Sequence, residues 1–127
     1  NWYSVNTGKL CPQDWSVPSS NTNWATLIDY LGGTSVAGGK LKQTGTTLWN
    51  SPNTGATNES GFNALPAGTR EESNIIFNDI GVYGLFWSSS ENSNSNATKI
   101  RIRSSSSGIE NMVDGKRLGL SVRCNKN

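Results

Sequence analysis

The sequence predicts a small α+β domain in which a twisted antiparallel sheet is flanked by one or two helices and crossed by long irregular loops. Three observations carry that prediction. Trp24, Leu27, Ile28 and Leu31 stand at i, i+3, i+4 and i+7, which lays one apolar stripe along a short helix. Residues 99–103 alternate strictly, with Ile100 and Ile102 turned one way and Lys99, Arg101 and Arg103 the other, the period of a half-buried strand. Between these segments, residues 38–68 carry glycine or proline throughout and sustain no period.

Each element has its own signals. The helix is expected to start at Ser20 as N-cap, with Asn23 a weak substitute for the acidic partner of a capping box, and to stop at Gly32 and Gly33. In the long loop, Trp49, Phe62, Leu65 and Pro66 are expected to pin irregular backbone onto the core. Val82 and the run from Tyr83 to Trp87 are β-formers. The last segment, "KRLGLSVRC", sets Leu118, Leu120, Val122 and Cys124 on one face and Arg117, Gly119, Ser121 and Arg123 on the other, which predicts a second strand of the same antiparallel sheet.

At 127 residues the chain has the size of one domain spanning 1–127. Hydrophobic residues are 33% of it, so the core must lean on large side chains, above all Trp2, Trp15, Trp24, Trp49 and Trp87. The net charge of +2 does not point to nucleic acid. Its distribution is uneven: residues 1–98 hold four basic and seven acidic side chains, residues 99–127 seven basic and two acidic. Either the basic end keeps strands soluble or it meets an anionic ligand. No apolar run approaches membrane-spanning length. The opening "NWY" reads as the middle of a larger exported chain, which implies neighbouring domains.

Cys11 and Cys124 lie near opposite ends, and a bridge between them is expected because Cys124 continues an alternating row. Such a bridge points to an oxidising compartment outside the cell; two separate buried thiols are the alternative. Absence of histidine excludes Ser-His-Asp and Cys-His catalysis and every histidine-ligated metal. Seven carboxylates (Glu59, Glu71, Glu72, Asp79, Glu91, Glu110 and Asp114) could in principle supply an acid and a base, but no spacing selects a pair. Calcium is a weaker possibility, through Asn53, Asn58 and Glu59 as hard oxygen ligands in "NTGATNES". Asn58 and Asn96 also begin sequons, which chance supplies in so Asn-, Ser- and Thr-rich a chain.

Residues 88–111 hold nine serines and four asparagines around the strand at 99–103, so the polar runs are expected to be loop tips of the sheet, where recognition usually lives. The candidate contact residues are Trp87, Ser89, Glu91, Asn92, Asn94 and Asn96 on one side of that strand. On it and beyond it are Lys99, Arg101, Arg103, Ser105 and Asn111. Hydroxyls and amides beside an indole suit a sugar's polar edge and apolar face, and would equally suit a cell-surface protein.

The ordered succession of "WNSP", "TNESGF", "WSSSE" and "SVRC" resembles the Fibrobacter succinogenes major paralogous domain, and the likeness covers nearly the whole chain. That resemblance implies a C-type lectin-like fold with closely placed termini and export from a bacterial cell, and it brings no established catalytic residues. The chain departs from it at Ala67, Gly68 and Thr69, where members often have a second glycine and an aromatic, and at Leu120, where phenylalanine is common. Similar lectin-like domains include some diversified by retroelements at adenine-rich codons, a history that Ser and Asn crowding fits as well as compositional drift does. The functional expectation is a non-enzymatic recognition module, secreted or on the cell surface, with a structural or assembly module of a larger envelope protein as the alternative.

Overall fold

The computed structural model describes residues 1–127. In chain order the elements are α1 (Trp2–Val5), β1 (Trp15–Ser16), a π-helical turn (Ser20–Trp24) running into α2 (Ala25–Tyr30), α3 (Ala37–Leu41), β2 (Thr69–Arg70), β3 (Phe77–Asn78), β4 (Tyr83–Glu91), β5 (Asn96–Arg103), β6 (Ile109–Gly115) and β7 (Asn125–Lys126). The α+β class is as predicted. The central sheet is antiparallel in the order β4-β5-β6, and two short pairs, β1·β7 and β2·β3, stand apart from it.

Register places two cores on opposite faces of this sheet. Phe86 faces Ile100 and Ile102 faces Ile109, and this side packs on the helical stripe of Trp24, Ile28 and Leu31, with Leu41, Trp49 and Ala64 from the loop region. On the other side Trp87 and Ala97 pack with Trp2, Val5 and Val17, against partly buried Cys11, Leu118, Leu120 and Val122. A sheet covered fully on one face and at one end of the other lets a lean sequence make two small cores. Three indoles donate to carbonyls: Trp2 to Ser88 at 2.8 Å, Trp49 to Ala64 at 2.9 Å and Trp87 to Leu118 at 3.3 Å.

Several expectations need correction. Ser19, not Ser20, caps the helix, because its extended backbone turns its hydroxyl to the Asn23 amide and a π turn then inserts the extra residue. Segment 118–124 is not a strand of the antiparallel sheet. It runs parallel beside β4, where Trp87 N–H donates to the Ser121 carbonyl at 2.9 Å and Ser121 N–H to Leu85 at 3.1 Å. Its alternation is real, since Leu118, Leu120 and Val122 all reach the second core, but the third strand is the unpredicted β6. Residues 38–68 are not structureless at their start. In α3, a Cβ at Gly38 would stand 2.0 Å from the Gly108 carbonyl oxygen and one at Gly39 2.2 Å from that of Gly55, so only glycine lets the helix touch two loops. Trp49 and Pro66 are buried anchors and Phe62 is half-buried, whereas Leu65 is exposed and Ala64 takes the core position.

Cys11 and Cys124 form a disulfide with a Cα separation of 5.9 Å. It ties the second core to the end of the chain, where Trp15 and Ser16 pair with Lys126 and Asn125. No helix is long and apolar enough to cross a membrane.

Candidate ligand-binding site on the sheet

Alternation along β4 and β5 puts Tyr83, Leu85 and Trp87 on the same face as Lys99, Arg101 and Arg103, because Tyr83 pairs with Arg103, Leu85 with Arg101 and Trp87 with Lys99. On β6 the pairing of Arg101 with Glu110 and of Ala97 with Asp114 brings two carboxylates to that face. The second core covers only the Trp87 and Ala97 end. The rest is a basin of about 360 Å³, floored by Leu85, Lys99 and Arg101 and walled by Tyr83, Asp114, Leu118, Thr69, Glu71 and Asp79. Thr69 and the acidic wall reach it because the β2·β3 hairpin folds over the sheet edge, with Asp79 in a left-handed turn at φ 64°.

The basin is polar and internally braced. The Lys99 ammonium, with its side chain 9% exposed, pairs with Asp114. Arg101 Nε donates to Glu110 at 2.6 Å and its guanidinium lies 5.4 Å from the Tyr83 ring centroid, while Arg103 donates to the other Glu110 oxygen. The hydrogen bond from Arg101 holds the Glu110 carboxyl below its usual range, and the charges of Arg101 and Arg103 act in the same direction. Glu71 accepts from the Asn78 amide at 2.8 Å, and Asp79 has no ion-pair partner. Fixed donors and acceptors of both signs around a phenol are suited to orienting a polar ligand. The site offers no histidine or thiol, and no group of three or more acidic, His or Cys side chains is placed to hold a metal ion.

The structure scatters the sequence-predicted contact residues. Trp87 is fully buried with its N–H spent on Leu118, so it belongs to the second core and not to a contact surface. Ser89, Glu91, Asn92 and Asn94 are exposed around the β4–β5 hairpin, with Asn96 half-buried at its base. Ser105 is exposed in the β5–β6 turn, at the other end of an eight-residue strand, on the order of 25 Å away. Asn111 pairs with Ile100 and so lies on the opposite face from the basin. Only Lys99 and Arg101 line the basin, with Arg103 next to them, and the row that reads as free positive charge is compensated by Glu110 and Asp114.

Two of the three candidate calcium ligands are engaged elsewhere: Asn58 Oδ1 accepts the Asn63 N–H at 2.8 Å and Glu59 pairs with Lys40 at 3.0 Å. Asn53 donates its amide to the carbonyls of Gln43 and Gly45, while its Oδ1 has no hydrogen-bond partner and is not joined by the other two. Sequence reasoning named Glu71, Asp79 and Asp114 only among seven unselected carboxylates, and did not place them, Thr69 or Tyr83 at a contact surface. Only the alternation at 83–87 held a usable signal, since the hairpin that brings the acidic wall across has two-residue strands.

No curated protein and no solved structure matches the chain. The family model described as the Fibrobacter succinogenes major domain matches residues 1–126, almost the whole length of this α+β domain with its bridged ends, and the chain belongs to that family.

Proposed function

We propose that this domain is a non-enzymatic recognition module with a C-type lectin-like fold, displayed outside the cell, that binds a glycan in the basin on its sheet. The observation that carries the reading is the basin itself, a concavity in which Lys99, Arg101, Glu71, Asp79 and Asp114 offer donors and acceptors beside Tyr83 and Leu85. A sugar presents hydroxyls that both donate and accept, and an apolar ring face for an aromatic or aliphatic wall. Preformed ion pairs fix the cations before a ligand arrives, which lowers the ordering cost of binding. The disulfide supports residence in an oxidising compartment.

A glycan array tests this directly, followed by titration of a captured glycan against Arg101→Ser and Asp79→Asn. Exposed and half-buried side chains change stability little, so both variants are expected to melt within a few degrees of the wild type. Each is expected to bind at least about tenfold more weakly, a loss of about 1.4 kcal/mol. No captured glycan, or capture indifferent to both substitutions, would overturn the assignment. A second reading, a structural or assembly module contacting a neighbouring domain or a protein partner, is supported by one feature beside the basin wall: Ile75, Ile76, Phe77 and Ile80 are all more than half exposed. Under that reading the glycan array is empty and replacing Ile75 and Ile76 with serine abolishes partner capture.

A further inference from the structure

A second concavity, of about 430 Å³, opens where the π-helical turn and α2 meet the chain returning past the disulfide, and its composition is the reverse of the basin's. Pro18, Trp24, Leu27 and Phe62 line it, and Trp24 and Phe62 pack with Phe86 in the core on the other face of the sheet. Arg123 is its one ionisable side chain. That guanidinium has no carboxylate partner; one nitrogen donates to the Phe62 carbonyl at 3.0 Å and the group lies 4.6 Å from the Phe62 ring centroid. An arginine held by a carbonyl and a ring keeps most of its donors, in the planar fork that matches a carboxylate.

Two of the three buried side-chain polar atoms without a partner belong to residues of this cleft, the Trp24 Nε1 donor and the Asn125 Oδ1 acceptor. Orphaned polar atoms are uncommon in folded proteins, and two of them sit on residues that line this one concavity. The size falls in the range of small-ligand pockets. A single uncompensated cation at the rim of an apolar, aromatic cleft is complementary to one negative charge on an apolar body.

We infer that this cleft binds a small carboxylate carrying an aromatic side group, with Arg123 taking the carboxylate and Leu27, Phe62 and Trp24 packing on the ring. The same chemistry belongs to a free aryl-alkanoic acid and to the C-terminal aromatic residue of a peptide. This site is independent of the glycan basin.

The test is a titration of the whole isotope-labelled domain, followed through the Trp24 indole N–H and the Asn125 side-chain amide. The probes are 3-phenylpropionate, N-acetylphenylalanine, its carboxamide, and a tripeptide ending in phenylalanine. The carboxylates are expected to move both signals, and the carboxamide to bind at least about tenfold more weakly, the scale of a charge-assisted fork. Arg123→Gln is expected to remove that difference, with folding checked by its melt, and Arg123→Lys, which keeps the charge and loses the fork, to fall between. Stronger binding of 3-phenylpropionate than of the tripeptide identifies a free acid; comparable or stronger tripeptide binding identifies a peptide terminus. Equal binding of acid and carboxamide, shifts confined to other parts of the domain, or no binding at millimolar probe would overturn the inference. Arg101→Ser is expected to leave this titration unchanged, so failure here and failure of the basin reading are separable.

Discussion

Lys42 is a fully buried lysine whose ammonium donates to the carbonyls of Thr54, Arg103 and Ser106 at 2.8, 3.0 and 3.0 Å and lies 5.4 Å from the Trp49 ring centroid. It stitches the long loop to the β5–β6 turn. Desolvation lowers its pKa from 10.5 to about 8. Because the folded pKa lies below the unfolded one, the unfolded chain binds more protons between pH 8 and 10.5, and stability from this residue rises with pH across that window. Lys42→Met strands three carbonyls and is expected to cost about 2 to 4 kcal/mol at pH 7. Denaturant melts at pH 7 and 9.5 should show a gain for the wild type that the Met variant lacks. Parallel pH responses of the two proteins would show that burial does not control this amine.

At the scale of elements, the two serine-rich hairpin ends that look alike in sequence do different work. Residues 92–95 are exposed at the β4–β5 tip, where the Asn92 and Ser93 N–H groups donate to the Asn96 carbonyl, and Lys116 beneath them pairs with Glu91 and donates to the Asn94 carbonyl at 3.1 Å. The β5–β6 turn is built into the molecule: Ser104 is buried, Ser106 supplies a carbonyl to Lys42, and Ser107 Oγ donates to the Ser35 carbonyl at 2.9 Å. Replacing Asn92, Ser93 and Asn94 with other small polar residues is therefore expected to change stability by less than about 1 kcal/mol. Replacing Ser104, Ser106 and Ser107 with bulkier polar residues should lower the melting temperature by several degrees or more, since Gly38 and Gly55 already leave no room beside that turn. Equal tolerance in thermal melts would show the turn to be as loose as its composition suggests. Composition could not reveal the difference, because what ranks these serines is the backbone across from them. The helix stripe at Trp24 and the β5 alternation were legible because each repeats over one buried face. Strand β6 was not, since "IENMVDG" sets only Ile109 into a core and its other residues stay half-buried or exposed at a sheet edge.

On the scale of the whole molecule, the sequence made the class, the bridge and the family resemblance readable, while the candidate site stayed largely hidden. A basin assembled from β2, β4, β5, β6, the loops after β2 and β3 and the segment after β6 depends on contacts distant along the chain. Closure of the ends depends on one long-range link as well, because β1 and β7 pair over only two residues each and need help to hold the termini together. The disulfide spans a sequence separation of 113, and loop-closure entropy for so long a ring is worth about 4 to 5 kcal/mol, acting through the unfolded chain. Replacing Cys11 and Cys124 together with serine is therefore expected to lower global stability by about that amount, and to raise the denaturant slope because the unfolded chain is free to expand. Two probes separate this from simple fraying of the ends: hydrogen exchange at β5, deep in the sheet, and at the Asn127 amide, which donates to Asp14 at 2.9 Å. If the bridge acts on the whole fold, protection falls in β5 as well as at the terminus. Loss of protection at Asn127 alone, with β5 and the melt unchanged, would show that the two cores hold the domain together without the bridge.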